Sequence, residues 1–385
     1  MNQRGSAVLI VLWVILIVSI IAMGIGYQLE LDAAMTQEFK EEAQARESAR
    51  SLFWWAVFQL QNDVDDVDTR DEFQFKVDDW RAEIGDIPGT LEIKDEGSRM
   101  NLNMASQSLL KEFFERLDCK DVIDPLIDWR DPDDQSLDGG TELSHYAEVN
   151  PDIKIRNGFL PVVQEFRKIL GGKDAWEKLK DRVTVAGPAN LFTMDKVVFC
   201  NILRETDMKI DITDPIMTNF ERMMKAKQIK SIDDLKRVDS RINQDLIEKL
   251  RDDYIVTDGT FNPNFISEEC FRSILAQWKI TELDTKLTEN EFKDKDEFAK
   301  FLTAMKPDLS SEKIWSYFSM ETKIWRVRVS IKTAFRVLQM NAIVQRVREK
   351  AGARWNTKIL SFNEVWLSDK GENDEPTEDR SEPEP

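Results

Sequence analysis

The feature that most constrains this chain is a charge-free apolar run from Ser6 to Tyr27. About 20 apolar residues are enough to cross a bilayer as a helix. Arg4 precedes the run, and five acidic residues follow it between positions 30 and 42. Because the positively charged flank of a membrane helix stays in the cytoplasm, we expect residues 6–27 to span the membrane, with the rest of the chain on the far side.

The leader in front of this run does not fit an ordinary secretory signal. The run is longer than a signal-peptide core, and no small-x-small cleavage site follows it. Gly5 stands directly before Ser6, and the stretch resembles a class III, prepilin-type leader. We therefore expect cleavage between Gly5 and Ser6, which removes residues 1–5 and leaves the helix on the mature protein. The alternative is an uncleaved signal anchor.

Composition excludes several classes of function. The formal net charge of −19 repels nucleic acid and anionic headgroups, so we expect no nucleic-acid partner. Cys119, Cys200 and Cys270 are far apart, which favours three isolated buried thiols, with one disulfide as the alternative. With a single histidine, His145, Ser-His-Asp or Cys-His catalysis and a typical zinc site are disfavoured.

A helical apolar period continues from Tyr27 to about Leu60, which predicts one helix running out of the membrane into the soluble body. A hinge near Gly24 and Gly26 is the alternative. The outer half of the helix is amphipathic and needs a sheet to cover it. The matching strand-like segments are 89–95, 323–331, 334–340 and 358–366.

The intervening sequence is helical and repetitive. Segments 160–203 and 229–275 share an order of elements. Three Asn-x-x-Ser/Thr units, which end at Ser106, Thr193 and Ser267, each precede a helix. The bundles resemble SAM-like or helix-hairpin-helix units, but they lack the Gly-rich basic hairpin of DNA binders, which favours a role in protein packing.

These patterns predict an α+β fold with a long N-terminal helix on a small antiparallel sheet and a large all-α insertion. We expect residues 28–95 to form the first part of the α+β domain and residues 96–276 to form the inserted repeats. Residues 277–368 are then the second part of that domain. Residues 369–385 are acidic and poor in apolar side chains, which predicts a disordered tail.

An acidic loop is the segment with the most distinctive chemistry. Hard cations such as Ca²⁺ prefer six to eight oxygen ligands on a sharply turning loop. Pro132 and the pair Gly139-Gly140 permit such turns, although the spacing is not that of an EF-hand. The acidic residues are Asp128, Asp131, Asp133, Asp134, Asp138 and Glu142. The alternative is a solvated acidic turn; we see no nucleophile or sugar-binding platform that would indicate an enzyme.

Three segments together carry a resemblance to one family. They are the leader with its apolar helix, the run 95–103 (DEGSRMNLN), and the run 126–134 (LIDWRDPDD) with the Gly140-Thr-Glu142 and Tyr146 that follow it. The chain resembles the general secretion pathway protein K family, the largest minor pseudopilins of type II secretion systems. The similarity runs from Met1 to about Leu203 and is weaker over the terminal strands.

The resemblance implies a pilin-like body with a helical insertion, anchored once in the inner membrane and facing the periplasm. It implies cleavage after Gly5 by prepilin peptidase, N-methylation of Ser6, and a tip complex with the I and J pseudopilins. It also implies calcium in the acidic loop. The residues carried over as ligands are Asp131, Asp133, Asp134 and Glu142, with Asp138 and Asp128 as further candidates.

The fifth residue of the expected mature chain is Ile10, where most pseudopilins have a glutamate. The resemblance implies this difference for protein K. A carboxylate buried in lipid is costly unless a neighbour pairs with it. A subunit that caps a fibre has no such neighbour, so the leading hypothesis is a tip subunit that initiates or caps a secretion pseudopilus. The alternatives are an unprocessed, membrane-anchored calcium-binding interaction protein and a calcium-dependent hydrolase.

Overall fold

The computed structural model describes residues 3–63, 65–73, 81, 84–85, 87–142, 146, 148, 155–280, 291–347 and 354–368. Helix α1 (Gln3–Asn62) contains 60 residues and is therefore about 90 Å long. Gly24 and Gly26 lie inside it without a break. The prediction of one continuous helix is confirmed, and the hinge alternative is wrong.

A four-stranded antiparallel sheet lies against the C-terminal part of α1. Its spatial order follows the chain, and a bulge interrupts the last pairing at Ile343 and Val344. The strands are β1 (Thr90–Asp95), β2 (Ile324–Lys332), β3 (Arg336–Val347) and β4 (Asn356–Ser368). All four strands occur where the sequence predicts them, and β3 and β4 are longer than expected.

The sheet buries the apolar stripe of α1. Leu52, Ala56 and Leu60 are completely buried, and they pack on alternate residues of β2 such as Val327 and Val329. Each large aliphatic side chain removed from water in this way contributes about 1.5–3 kcal/mol. The strict alternation of β2 therefore explains which of its faces meets the helix, as the sequence predicts.

Contacts at the two ends of the sheet fix its direction along α1. Near one end, Arg336 at the start of β3 pairs with Glu42 at 3.3 Å. Near the other end, the carbonyl oxygen of Gln61 accepts from the Trp355 amide at 3.2 Å. The β2–β3 hairpin thus lies towards the apolar part of α1. Asp95 and Ile324, where the chain leaves and rejoins the sheet, lie at the far end.

The insertion between β1 and β2 is predominantly helical. Its three cysteines are buried free thiols, which confirms the expectation of isolated thiols. Its α-helices are α2 (Gln107–Arg116), α3 (Ile123–Arg130), α4 (Gly172–Leu179), α5 (Lys196–Glu205), α6 (Pro215–Lys225), α7 (Gln244–Lys249), α8 (Glu268–Gln277), α9 (Lys295–Met305) and α10 (Ser311–Trp315).

The insertion consists of three consecutive units, which we call unit 1 (100–184), unit 2 (189–256) and unit 3 (261–318). Each unit begins with an extended segment that pairs in parallel with the segment ending the same unit. The pairs are Met100 with Val183, Ala189 with Ile255, and Phe261 with Phe318. The segments 160–203 and 229–275, expected from the sequence to be the repeats, each straddle a boundary between units. The unit boundaries in the structure therefore differ from the boundaries of the expected repeats.

An asparagine has the same role at the start of every unit. Asn101, Asn190 and Asn262 each accept, through side-chain Oδ1, from the amide two residues later at 2.8–3.0 Å. The helix N-cap follows five residues after each asparagine, at Ser106, Asp195 and Ser267. Thr193, which ends the second Asn-x-x-Ser/Thr unit, is not the helix cap, because the Asp195 carboxylate accepts from the Val198 amide instead.

The strand that returns the chain to the sheet begins at Ile324, so the expected boundary at residue 277 comes too early. Helices α9 and α10 belong to the core shared by units 1 and 3, where Phe298 and Ile314 are buried. The acidic tail expected over 369–385 and His145 lie outside the described residues. So does most of segment 73–83, for which the sequence predicts a second short helix.

Candidate functional site

The acidic loop begins where α3 ends. Asp128 lies in the last turn of α3 and is completely buried. Asp131 follows the helix in an extended conformation, with ψ of 158°. At the other end of the loop, the Tyr146 ring packs edge-on against Trp129 with centroids 5.3 Å apart. This aromatic pair holds the two ends of the loop together.

The Asp128 carboxylate lies beneath the second half of the loop. Its Oδ1 and Oδ2 each lie 3.2 Å from the Leu137 amide nitrogen, which donates to them. A Cβ on Gly140 would lie 1.9 Å from Asp128 Oδ2. The chain therefore crosses the carboxylate so closely that position 140 accepts only glycine without displacement.

Asp131 and Glu142 are buried acids of the loop with side-chain oxygens that lack a hydrogen-bond partner. Each is only 7% exposed. Oδ1 of Asp131 and both side-chain oxygens of Glu142 make no hydrogen bond within the protein. Burial, followed by repulsion from neighbouring acids including Asp133 and Asp128, raises the pKa of Asp131 to about 8. Burial and the same kind of repulsion raise the pKa of Glu142 to about 7.

The remaining predicted ligands lie nearer the surface. Asp133 is half-buried, whereas Asp134 and Asp138 are exposed. Asn157 reaches the loop from outside: its Nδ2 donates to the Asp133 carbonyl oxygen at 3.0 Å and to Asp134 Oδ1 at 2.9 Å. The structure thus brings Asp128, Asp131, Asp133, Asp134 and Glu142 into one electrostatic neighbourhood and leaves Asp138 at its edge.

The donor set fits a hard cation. Carboxylate oxygens without partners, buried together and repelling one another, are the environment that a bound divalent ion neutralises. However, no three of these candidate ligands have oxygens that all lie within 4.8 Å of one another. Within the described residues, the one group of three acidic side chains with oxygens within 4.8 Å of one another is Asp63, Asp65 and Glu72. Asp63 there already pairs with Arg346.

The expected processing site lies at the start of α1. The backbone of Gly5 and Ser6 is helical and continuous with the apolar run. Ile10 and the side chains after it, up to Met35, are exposed. In the described part of the chain, α1 is the one helix long and apolar enough to cross a membrane.

Comparison with known families finds a match for the region that contains the loop. A family model described as type II secretion system (T2SS), protein K matches residues 92–188. Over this stretch the chain is similar to protein K of type II secretion systems. The match confirms the resemblance drawn from the sequence over residues 92–188, which contain the last four residues of β1, unit 1 and the acidic loop. No curated protein matches the chain.

A solved structure extends the similarity in fold beyond residues 92–188. It is a chain of the GspK-GspI-GspJ complex from the enterotoxigenic Escherichia coli type 2 secretion system, with a TM-score of 0.50. The two sequences are 14% identical, and the alignment covers 86% of this chain and 99% of that chain. At this identity the likeness concerns the fold, and it confirms the predicted α+β pilin-like architecture with its helical insertion.

Sequence reasoning missed two residues that contact the loop. Asp124, one helical turn before Asp128, accepts from the Gly139 amide at 3.2 Å. Asn157 has a left-handed backbone, with φ of +47°. The i, i+4 spacing of the two aspartates and the Asn157-Gly158 dipeptide are the signals that indicate them.

Proposed function

We propose that this chain is a minor pseudopilin at the tip of a type II secretion pseudopilus, where it initiates or caps assembly with the I and J pseudopilins. The observation that carries the proposal is the direction of the insertion. The chain leaves the sheet after Asp95 and rejoins it at Ile324, at the end farthest from the apolar part of α1. Both ends of the insertion therefore join the body at this distal end, where a further subunit would otherwise stack.

The exposed apolar part of α1 supports a subunit that is first anchored in the membrane and then extracted from it. A helix with apolar side chains exposed on every side is suited to lipid or to a bundle of similar helices. We propose that prepilin peptidase removes residues 1–5, that Ser6 is methylated, and that the helix crosses the inner membrane with the body in the periplasm. The role is structural, and we assign it no catalytic step.

The acidic loop supports a calcium site. Asp131 and Glu142, with Asp128, Asp133 and Asp134, would hold the ion, and Asp138 is a peripheral candidate. Calcium would supply the positive charge that the two buried carboxylates lack. An ion bound only by the folded chain stabilises it by RT ln(1 + [L]/Kd), about 2.7 kcal/mol at a hundredfold excess over Kd.

Co-expression of the full chain with the I and J pseudopilins of the same source tests the assembly proposal. After detergent extraction we expect a stable ternary complex containing mature chain that begins at Ser6. A functional chain that retains Met1 and binds neither partner would instead indicate the unprocessed, membrane-anchored calcium-binding protein.

A further inference from the structure

We propose that the acidic loop is a cation-dependent clamp, which holds unit 1 and unit 2 together when a cation is bound. Asn157, Asn201 and Arg204 couple cation binding in the loop to unit 2. The proposal rests on the cation binding proposed above. It adds that binding in unit 1 orders helix α5 of unit 2, a part of the chain without any of the candidate ligands.

Units 1 and 2 have separate apolar cores. The core of unit 1 is continuous with that of unit 3, whereas unit 2 has a core of its own. Of the unit 1 side chains, Met104 and Phe159 pack against the unit 2 core, and both are only partly buried. Because few apolar side chains cross this boundary, polar contacts have a large share in fixing how the two units sit together.

Asn157 links the loop to α5. Its side chain donates to the carbonyl oxygen of Asp133 and to Asp134 Oδ1. Its own carbonyl oxygen accepts from Arg204 Nη1 of α5 at 2.6 Å. The left-handed backbone at Asn157 directs the side chain and the carbonyl to different partners, and Phe159, two residues later, packs on the unit 2 core. One short segment therefore contacts both the candidate ligands and unit 2.

A second contact joins the start of the loop to the same helix. The carbonyl oxygen of Arg130, the residue before Asp131, accepts from Asn201 Nδ2 at 2.6 Å. The Arg130 guanidinium is itself completely buried and donates to the carbonyl oxygens of Leu102 and Ala105 at 2.8 and 3.0 Å. Asn201 and Arg204 are three residues apart, so they lie on one face of α5 and contact both sides of the loop.

Charge supplies the reason for a clamp. Without a cation, Asp131 and Glu142 leave buried side-chain oxygens without hydrogen-bond partners, and the cost of burying them favours a looser loop. A bound cation removes that cost and holds the Arg130 and Asn157 carbonyl groups where α5 can reach them. Coupling between two sites is reciprocal, so contacts from α5 must raise cation affinity by the same factor, typically 5- to 150-fold.

Hydrogen exchange of the full chain in detergent, with and without calcium chloride, tests the clamp. We expect calcium to slow exchange over residues 131–142 and also over 196–205. In R204M calcium should bind about tenfold more weakly, and the protection of 196–205 should no longer depend on it. The matched control is R241M: Arg241 pairs with Asp214 and Asp239 inside unit 2 and makes none of these contacts with the loop.

A second variant tests the clamp independently, in case R204M does not fold. N157G removes the side-chain contacts to Asp133 and Asp134 and keeps a residue that accepts the left-handed backbone. It should uncouple 196–205 from calcium in the same way. Calcium that binds wild type and protects only the loop, or R204M that binds calcium as tightly as R241M, would overturn the clamp alone. Absence of any calcium binding would overturn the clamp and the proposed calcium site together.

Discussion

Arg346 and Asp68 form a salt bridge in which both side chains are completely buried. The guanidinium lies over the Trp355 ring, 4.5 Å from its centroid, and also donates to the carboxylate of Asp63, just beyond the end of α1. This ion pair ties the segment after α1 to the distal end of β3, directly below the insertion. The junction between body and insertion therefore depends on one buried arginine.

We predict that R346M destabilises the protein by about 3–5 kcal/mol, because it leaves the Asp68 carboxylate buried without its partner. R336M is the control, since Arg336 is half exposed and its pairs with Glu38 and Glu42 lie at the surface. The control should cost no more than about 1 kcal/mol. Urea unfolding of the full chain in detergent measures both, and equal losses would contradict the assignment.

A second prediction concerns pH and Asp95, at the end of β1. Burial raises the pKa of this carboxyl to about 6, against an ordinary value of 3.8. The folded state therefore keeps the proton to higher pH than the unfolded state does. The contribution of Asp95 to stability is greatest below about pH 4 and decreases as pH rises to about 6.

Unfolding free energies of wild type and D95N, compared between pH 4 and pH 7, measure this contribution. The loss of stability on raising the pH should be smaller in D95N than in wild type. The exposed Asp258 supplies the control, D258N, which should retain the wild-type dependence. An unchanged pH profile in D95N would show that the carboxyl ionises normally in the folded chain.

A third prediction concerns glycine in the acidic loop. G140A places a methyl group against the Asp128 carboxylate and should weaken calcium binding by about tenfold or more, equivalent to at least about 1.4 kcal/mol. G158A is the matched control, because a Cβ there has the Arg156 carbonyl oxygen at 3.7 Å as its neighbour within 4 Å. Calorimetric calcium titration of both variants checks this, and equal affinities would remove Asp128 from the site.

A fourth prediction concerns the leader. Replacing Gly5 with leucine should block peptidase cleavage and leave precursor in the inner membrane, which intact-protein mass spectrometry detects as retained residues 1–5. G24L is the control, since a Cβ at Gly24 has no neighbour within 4 Å and lies outside the cleavage sequence. Cleavage of G5L at the wild-type position would refute the prepilin-type leader.

Local sequence patterns predict the elements of this fold well, and spatial relationships less well. The apolar period of α1 and the alternation in β2 are local, so both follow from the sequence. The three-unit order depends on parallel pairs such as Phe261 with Phe318, which are distant in sequence and too short to leave a strand pattern. Thr193 fits the capping pattern as well as Asp195 does, and the register of the Asn190 turn decides between them.

In the acidic loop, too, the local pattern can be predicted from the sequence and the spatial relationships cannot. The sequence indicates the carboxylates, because their number and the neighbouring glycines are unusual. It does not indicate which of them are buried, since that depends on how the chain crosses Asp128 at Gly140. Nor does it reveal the contacts of Asn157 with α5, because they join residues brought together only by the packing of two units.

The most direct test of the central claim is to locate this chain in assembled pseudopili. A label on an exposed residue of unit 2, such as Lys227, can be imaged on fibres formed with the other pseudopilins. Our account predicts one label per fibre, at a single end, and shorter or fewer fibres when the chain is omitted. Labels distributed along the fibre, or fibres that never contain the chain, would contradict it.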